Sequence, residues 1–328
     1  MSTLLLLLAC LSAHRAPLYD PGAHLPPPAL GQVFEGQDPE AVFQEAVERR
    51  RAGDVEGAVH RLAWLHESGD RSPEVLYQLG IAYEMNEDFE TALSIYDLIL
   101  AEHPELPLRD AGFRRALCLE ELGRYDEALR QYKAIPQEQG FDRHDRYTLD
   151  LAMGIAALRA GRTRQGLRLI ETSLLAVEDS REITWMAAKG RYALMDHALA
   201  QAADRPLEGS ERKQVHNLED RADLMAEAEA HLVKIIAQEE PEWIMAGLLS
   251  LGDAYMELHD AVAGAPAPRG LDADQTAVYR QELERRSTVL LRKAWEAYDQ
   301  GLVVAGRFGV ENRYTAQLTE ARDAIPLP

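Results

Sequence analysis

The chain has 328 residues, with 35 Lys and Arg against 55 Asp and Glu and a formal net charge of −20. Phosphate backbones and anionic bilayer surfaces bind through clustered cations, so this balance argues against nucleic acid or a lipid surface as partner. Hydrophobic residues make up 46%, enough for a packed core, and the only cysteines, Cys10 and Cys118, exclude a disulfide framework and a four-cysteine zinc site.

The chain opens Met-Ser-Thr, then runs Leu4 to Leu8 and Ala9-Cys10. Five leucines are far short of the ~20 apolar residues that span a bilayer. They are also short for a signal h-region of roughly 7–15 residues, and no Lys or Arg precedes them. Leu7-Leu8-Ala9-Cys10 nevertheless resembles the bacterial lipobox, with the small Ala9 just before the cysteine. The resemblance implies that residues 1–10 are a signal and that Cys10 is acylated as the mature N-terminus. It also implies the periplasmic face of the outer membrane, because Leu11 stands where an inner-membrane retention signal carries Asp. On this reading the chain touches a membrane through its N-terminal lipid alone. The alternative is a stray apolar start on a cytoplasmic protein. Residues 11–37 carry Pro17, Pro21 and Pro26 to Pro28 and read as a tether, extended at about 3.1 Å per residue, or as an ordinary floppy terminus.

From residue 38 onward apolar positions recur at three and four, the period of an amphipathic helix, and no segment alternates like a strand. A repeat emerges over 38–180. Ala58, Ala92 and Ala128 stand in similar contexts: Gly-Asp-Val-Glu-Gly-Ala, Glu-Asp-Phe-Glu-Thr-Ala and Gly-Arg-Tyr-Asp-Glu-Ala. Their spacings are 34 and 36 residues, and a weaker fourth copy has Gly161 in the turn and Gly166 in the alanine slot. Two antiparallel helices that approach closely need one small residue each, and four pairs supply them: Ala46/Ala58, Gly80/Ala92, Ala116/Ala128 and Gly154/Gly166. Leu62, Tyr96, Tyr132 and Ile170 are placed to fill the gap to the next pair.

This pattern resembles the tetratricopeptide repeat, whose period is about 34 residues. The fullest copy runs from Pro73 through Leu76, Leu79-Gly80, Tyr83, Phe89, Ala92 and Tyr96 to Pro104. Gly112 and Asp150 depart from it, standing where a large apolar residue is usual. Residues 181–328 read as degenerate, extended versions of the same unit. Leu248, Leu251-Gly252 and Tyr255 echo Leu76, Leu79-Gly80 and Tyr83, while Ala294 and Tyr298 echo Ala92 and Tyr96. The small-to-small gap widens from 12 residues (80 to 92) to 42 (252 to 294), leaving a loop at 264–270 and a long helix after it. A similar stretched pair spans Trp185 to Ala237 with its loop at 205–210, and a helix from about Val310 to Ala324 closes the chain. The fold expected is all-α: a right-handed solenoid of about six helix pairs with a capping helix. Over 241–325 the arrangement resembles repeat proteins of myxobacterial gliding-motility and related envelope machines, on its proline-bearing loop, Tyr279, and the Ala-Trp-Glu-Ala-Tyr that follows.

No constellation of catalytic residues stands out: there is no Gly-rich phosphate loop, His-Glu-x-x-His, Gly-x-Ser-x-Gly or EF-hand loop. The expectation is therefore no enzyme, no cofactor and no metal. Asp142-Arg143-His144-Asp145-Arg146 reads as a solvated loop and helix cap, and Cys118 as a buried thiol. The resemblance implies instead a partner-binding groove on the concave face built by the first helix of each pair. It places Phe43, Val47 and Arg50 there from the first repeat, and Tyr77, Ile81 and Glu84 from the second. The third contributes Phe113, Leu117 and Glu120, and the fourth Leu151 and Ile155. Aromatic anchors with a charged rim suit a peptide or amphipathic helix, although each of these residues has packing between repeats as its alternative. The Lys/Asn clamp with which some family members hold a terminal carboxylate is missing from the corresponding positions. The function expected is a lipid-anchored, periplasm-facing scaffold that captures a protein of an envelope complex for motility, secretion or assembly. The alternatives are a lipoprotein of outer-membrane barrel assembly or pilotin type, and a cytoplasmic scaffold.

Overall fold

A computed structural model describes residues 34, 36–104, 109–136, 141–177 and 182–325. The expected signal, Cys10 and nearly all of the tether lie outside these residues. Among the described residues all regular structure is helical, in thirteen helices. The chain divides into two compact units, one built from the first eight helices and the other from the last five.

The N-terminal unit consists of four helix pairs: α1 (Pro39–Arg51) with α2 (Val55–Glu67), α3 (Pro73–Met85) with α4 (Phe89–Glu102), α5 (Arg109–Glu121) with α6 (Tyr125–Ala134), and α7 (Arg143–Arg159) with α8 (Thr163–Ala176). From α1 to α8 consecutive helices pack on one another, and α1 also reaches α3, which is how a solenoid stacks. Helix starts are written locally. Asp54 and Asp88 accept the backbone N–H of Gly57 (2.9 Å) and Thr91 (3.1 Å), filling orphan donors of the first turn. Asp142 and Asp145 form a reciprocal capping box on α7. That places Asp142 and Asp145 of the acidic-basic cluster at 142–146 as a helix start.

Close helix crossing explains the small residues. Ala46, Ala58, Ala92, Ala116 and Ala128 have no exposed surface. A Cβ on Gly80 would fall 2.7 Å from the Tyr96 ring, and one on Gly154 would fall 2.8 Å from Ile170 Cγ1. Leu62, Tyr96, Tyr132 and Ile170 are completely buried. The turn within each pair needs a left-handed residue. Gly53, Gly123 and Gly161 supply it at φ 86°, 71° and 76°, but the second pair uses Glu87 at φ 58°. One residue of the expected tether behaves otherwise: Phe34 is 4% exposed and packs on Trp64, their ring centroids 5.5 Å apart, with Arg61 over its face. An aromatic side chain gains more from this contact than from water, so the packed region begins ahead of α1.

The C-terminal unit holds two longer pairs and a closing helix. These are α9 (Thr184–Ala203) with α10 (Glu211–Ile236), α11 (Pro241–Ala263) with α12 (Ala273–Phe308), and α13 (Arg313–Asp323). At 36 residues α12 is about 54 Å long. It starts at a second capping box, in which Asp272 and Gln275 bond each other's backbone N–H groups at 2.8 and 3.1 Å. Gly252 lies so close under Tyr298 that a Cβ would sit 2.2 Å from its ring, and the tyrosine hydroxyl donates to Asp253 at 2.7 Å. α13 seats fully buried Leu318 over Gly301.

Candidate functional site

The first helices of successive pairs meet along one face of the N-terminal unit. Arg50, at the end of α1, donates to Gln78 Oε1 on α3 at 3.1 Å and reaches Met85 Sδ at 4.0 Å. From the other side Arg114 of α5 donates to the Tyr77 hydroxyl at 3.1 Å and to Glu84 Oε2 at 2.9 Å, with its guanidinium 5.8 Å from the Tyr77 ring centre. Tyr96 donates its hydroxyl to the other oxygen of Glu84. Thus the Arg50–Gln78 pair ties α1 to α3, and Arg114 with Tyr77 and Glu84 ties α5 to α3.

Electrostatics rank these groups. Burial is the largest single influence on Arg114 and lowers its pKa, but the Glu84 carboxylate, Tyr96 and Tyr77 together outweigh it and the net direction is upward. Burial, reinforced by Glu84, keeps Tyr96 protonated and a donor. Cys118 is 1% exposed, and burial raises its thiol well out of the reactive range. Arg50 differs: burial lowers its pKa, and Arg114 and Arg51 add to the shift.

The residues expected at a binding face fall into two groups. Phe43, Arg50, Tyr77, Glu84, Phe113 and Leu117 keep partial exposure. Val47 and Ile81 are 8% exposed, Glu120 6%, Ile155 4% and Leu151 0%. Leu151 therefore offers a partner no surface, and Ile155 and Glu120 offer almost none. Glu120 is turned to Tyr132, whose hydroxyl is pushed up first by burial and then by that carboxylate. Even the exposed aromatics are braced from behind. Tyr77 packs edge-on to Tyr96 at 6.4 Å, Phe113 lies 5.3 Å from Tyr132, and Phe43 rests on the cluster of Phe34, Val42, Leu65 and Val75. Arg114 and Gln78 were missed from sequence. The available signal was an arginine one residue beyond Phe113 that could reach Glu84 of the preceding repeat.

The C-terminal unit has a cleft of about 280 Å³ between α9, α10 and α11, walled by Leu199, Met225 and Leu258 with Asp196, Ser250 and Glu257 among its polar groups. Arg221 in its wall is 3% exposed and fully engaged: it donates to Glu257 (2.8 Å) and to the carbonyls of Arg205 (2.7 Å) and Ala203 (3.2 Å). This cation holds α10 to its neighbours. Among the described residues no group of His, Cys, Asp and Glu is gathered to hold a metal ion, and no helix is long and apolar enough to cross a membrane.

Residues 74–105 and 110–138, which are the pairs α3–α4 and α5–α6, match the tetratricopeptide repeat family. No curated protein matches the sequence. Among solved structures, the chain is similar to a tetratricopeptide repeat protein from Parabacteroides merdae, at 14% identity and a TM-score of 0.41 over 87% of this chain and 97% of that one. It is also similar to a TPR repeats protein from Bacteroides fragilis, at 10% identity and a TM-score of 0.31 over 88% and 99%.

Proposed function

We propose that the chain is a protein-interaction scaffold that captures a peptide or amphipathic helix on the face formed by α1, α3 and α5. The observation that carries this reading is the row of Phe43, Tyr77 and Phe113, partly exposed and braced by buried side chains, on helices locked together by Arg50 and Arg114. A rigid aromatic row loses little entropy on contact, and aromatic and Arg side chains concentrate binding energy in interfaces. The tetratricopeptide matches over α3–α6 support the same reading.

The proposal extends to location. Leu4 to Leu8 followed by Ala9-Cys10 supports acylation of Cys10, attachment to the periplasmic face of the outer membrane, and a partner within an envelope complex. Anchoring raises the local concentration of the scaffold around such a partner. The test is intact-mass analysis of the native protein combined with crosslinking from its own membranes. An acylated Cys10 at the N-terminus, and a crosslinked envelope protein lost on Tyr77→Ala with Phe113→Ala, are the expected results. An unmodified Met1 with cytoplasmic partners overturns the location and leaves the scaffold. A crosslink that survives the double substitution moves binding off this face.

A further inference from the structure

The cleft between α9, α10 and α11 has walls of two kinds. Leu199, Met225 and Leu258 are buried and form an apolar floor. Around it stand three carboxylates, Asp196 from α9 and Asp253 and Glu257 from α11, against one cation, Arg221 from α10. Residues four apart on a helix share a face, so Asp253 and Glu257 stand one turn apart on the α11 side. Arg221 has no nitrogen left to turn: its three donate to Glu257 Oε2 and to the carbonyls of Arg205 and Ala203. The Tyr298 hydroxyl takes Asp253 Oδ1. That leaves Asp253 Oδ2 and Glu257 Oε1 without a hydrogen-bond partner among the described residues. The lining therefore carries a surplus of two negative charges around an apolar space of about 280 Å³, the small end of the range for ligand pockets.

This lining sorts ligands by chemistry. Anions are repelled. A neutral apolar molecule strips water from the carboxylates and returns no charge to them. A bare metal ion gains nothing from leucine and methionine, and among the described residues no group of His, Cys, Asp and Glu is gathered to hold one. A single alkylammonium answers only one of the two surplus charges. A short hydrocarbon chain with a cation at each end answers both and covers the floor. We propose that this cleft is a binding site for a linear aliphatic diamine, with one ammonium at Asp253 and Glu257, the other at Asp196, and its methylenes on Leu199, Met225 and Leu258. A cleft of one sign with low-dielectric walls concentrates such cations from solution. The bound diamine bridges α9 and α11, so it stabilises the C-terminal unit by mass action. The site is independent of the face formed by α1, α3 and α5.

The test is calorimetric titration of the full chain at fixed ionic strength with 1,5-diaminopentane, and with n-pentylamine, which keeps the stem and loses one charge. Three variants separate a site from the general attraction of an acidic protein. Asp196→Asn with Asp253→Asn removes two charges from the cleft. Glu74→Gln with Glu90→Gln removes two from exposed positions on the N-terminal unit. Ala254→Leu fills the cleft and leaves the charge unchanged. Circular dichroism shows which variants keep native helicity, and the asparagine pair, nearly isosteric, carries the test if Ala254→Leu unfolds. The expected result is one diamine per chain, bound at least about tenfold more tightly than n-pentylamine. Binding should weaken about tenfold in the asparagine pair, vanish in Ala254→Leu and stay unchanged in the glutamine pair. Equal weakening in the asparagine and glutamine pairs reduces the effect to diffuse attraction and overturns the proposal. Equal affinity for n-pentylamine, undiminished binding to a folded Ala254→Leu, or no binding of the diamine to the native chain also overturns it.

Discussion

In the N-terminal unit Gly80 lies under the ring of Tyr96, and the hydroxyl of that tyrosine is bound by Glu84 one turn along the same helix as the glycine. In the C-terminal unit Gly252 lies under Tyr298, whose hydroxyl is bound by Asp253, the residue next to the glycine. The joint is the same: a bare backbone, an aromatic ring pressed on it, and a carboxylate at the ring's far end. What differs is the surroundings. The first joint links helices of 13 and 14 residues and its carboxylate continues into Arg114 on the proposed binding face. The second links helices of 23 and 36 residues and ends at Asp253. A packing device that recurs unchanged is structural in both places. The polar layer that continues from it in the N-terminal unit, through Glu84 to Arg114, is the part on which the proposed binding face rests.

The largest expected effect tests whether the two joints are equally tight. Gly252→Ala places a Cβ 2.2 Å from the Tyr298 ring, and Gly80→Ala places one 2.7 Å from Tyr96. We expect losses of about 3 and about 2 kcal/mol respectively, after the helix preference of alanine returns part of the cost. Chemical denaturation of the two variants checks the order. A reversed order would mean that the longer helices part more easily than the short ones.

The second prediction separates the units by pH. Burial, with Arg191 and then Lys234 adding to it, lowers the His231 pKa to about 4, and its Nδ1 is buried with no hydrogen-bond partner. Because the folded value is below the unfolded one, near 6.5, the unfolded chain binds the proton first. Stability from this group is complete above about pH 6.5 and is lost as pH falls toward 4, by up to about 3 kcal/mol. His231→Phe should remove that part of the acid sensitivity, leaving the carboxylate titrations. Identical pH profiles for the two proteins would contradict it.

Smaller effects sharpen the N-terminal joint. Tyr96→Phe keeps the ring on Gly80 but removes a donor to Glu84, and should cost about 1 kcal/mol with helicity unchanged. Glu87→Gly puts the left-handed turn residue of the other three pairs into the second, where φ is 58°. It should raise stability by about 0.5 kcal/mol, because the relief of strain exceeds the extra chain entropy only slightly. A shift in thermal midpoint of one or two degrees reads both variants.

The repeat register was legible because its cause is local. Ala46, Gly80, Ala116 and Gly154 recur where helices cross, and their neighbours Leu62, Tyr96, Tyr132 and Ile170 are buried as expected. The stretched pairs were legible for the same reason, through Gly252 and Ala294. Phe34 was not, since a single aromatic in a proline-rich segment carries no period. The face was legible only in outline. Periodicity shows which side of a helix a residue occupies, not how deeply its neighbours cover it. So Leu151 and Ile155 were grouped with Tyr77 although they are buried. Arg114 stayed hidden because its partners Tyr77 and Glu84 lie 37 and 30 residues earlier, and only folding brings them together.

The central claim, that partners are held on the face of α1, α3 and α5, is tested most directly by site-specific photocrosslinking in the native host. A photoreactive phenylalanine analogue is placed in turn at Phe43, Tyr77 and Phe113, and at Val215 and Val303, which are 51% and 60% exposed on the C-terminal unit. The account predicts one discrete crosslinked protein from the three aromatic positions and none from the two valines. Crosslinks from Val215 or Val303 with silence at the aromatic row would contradict it.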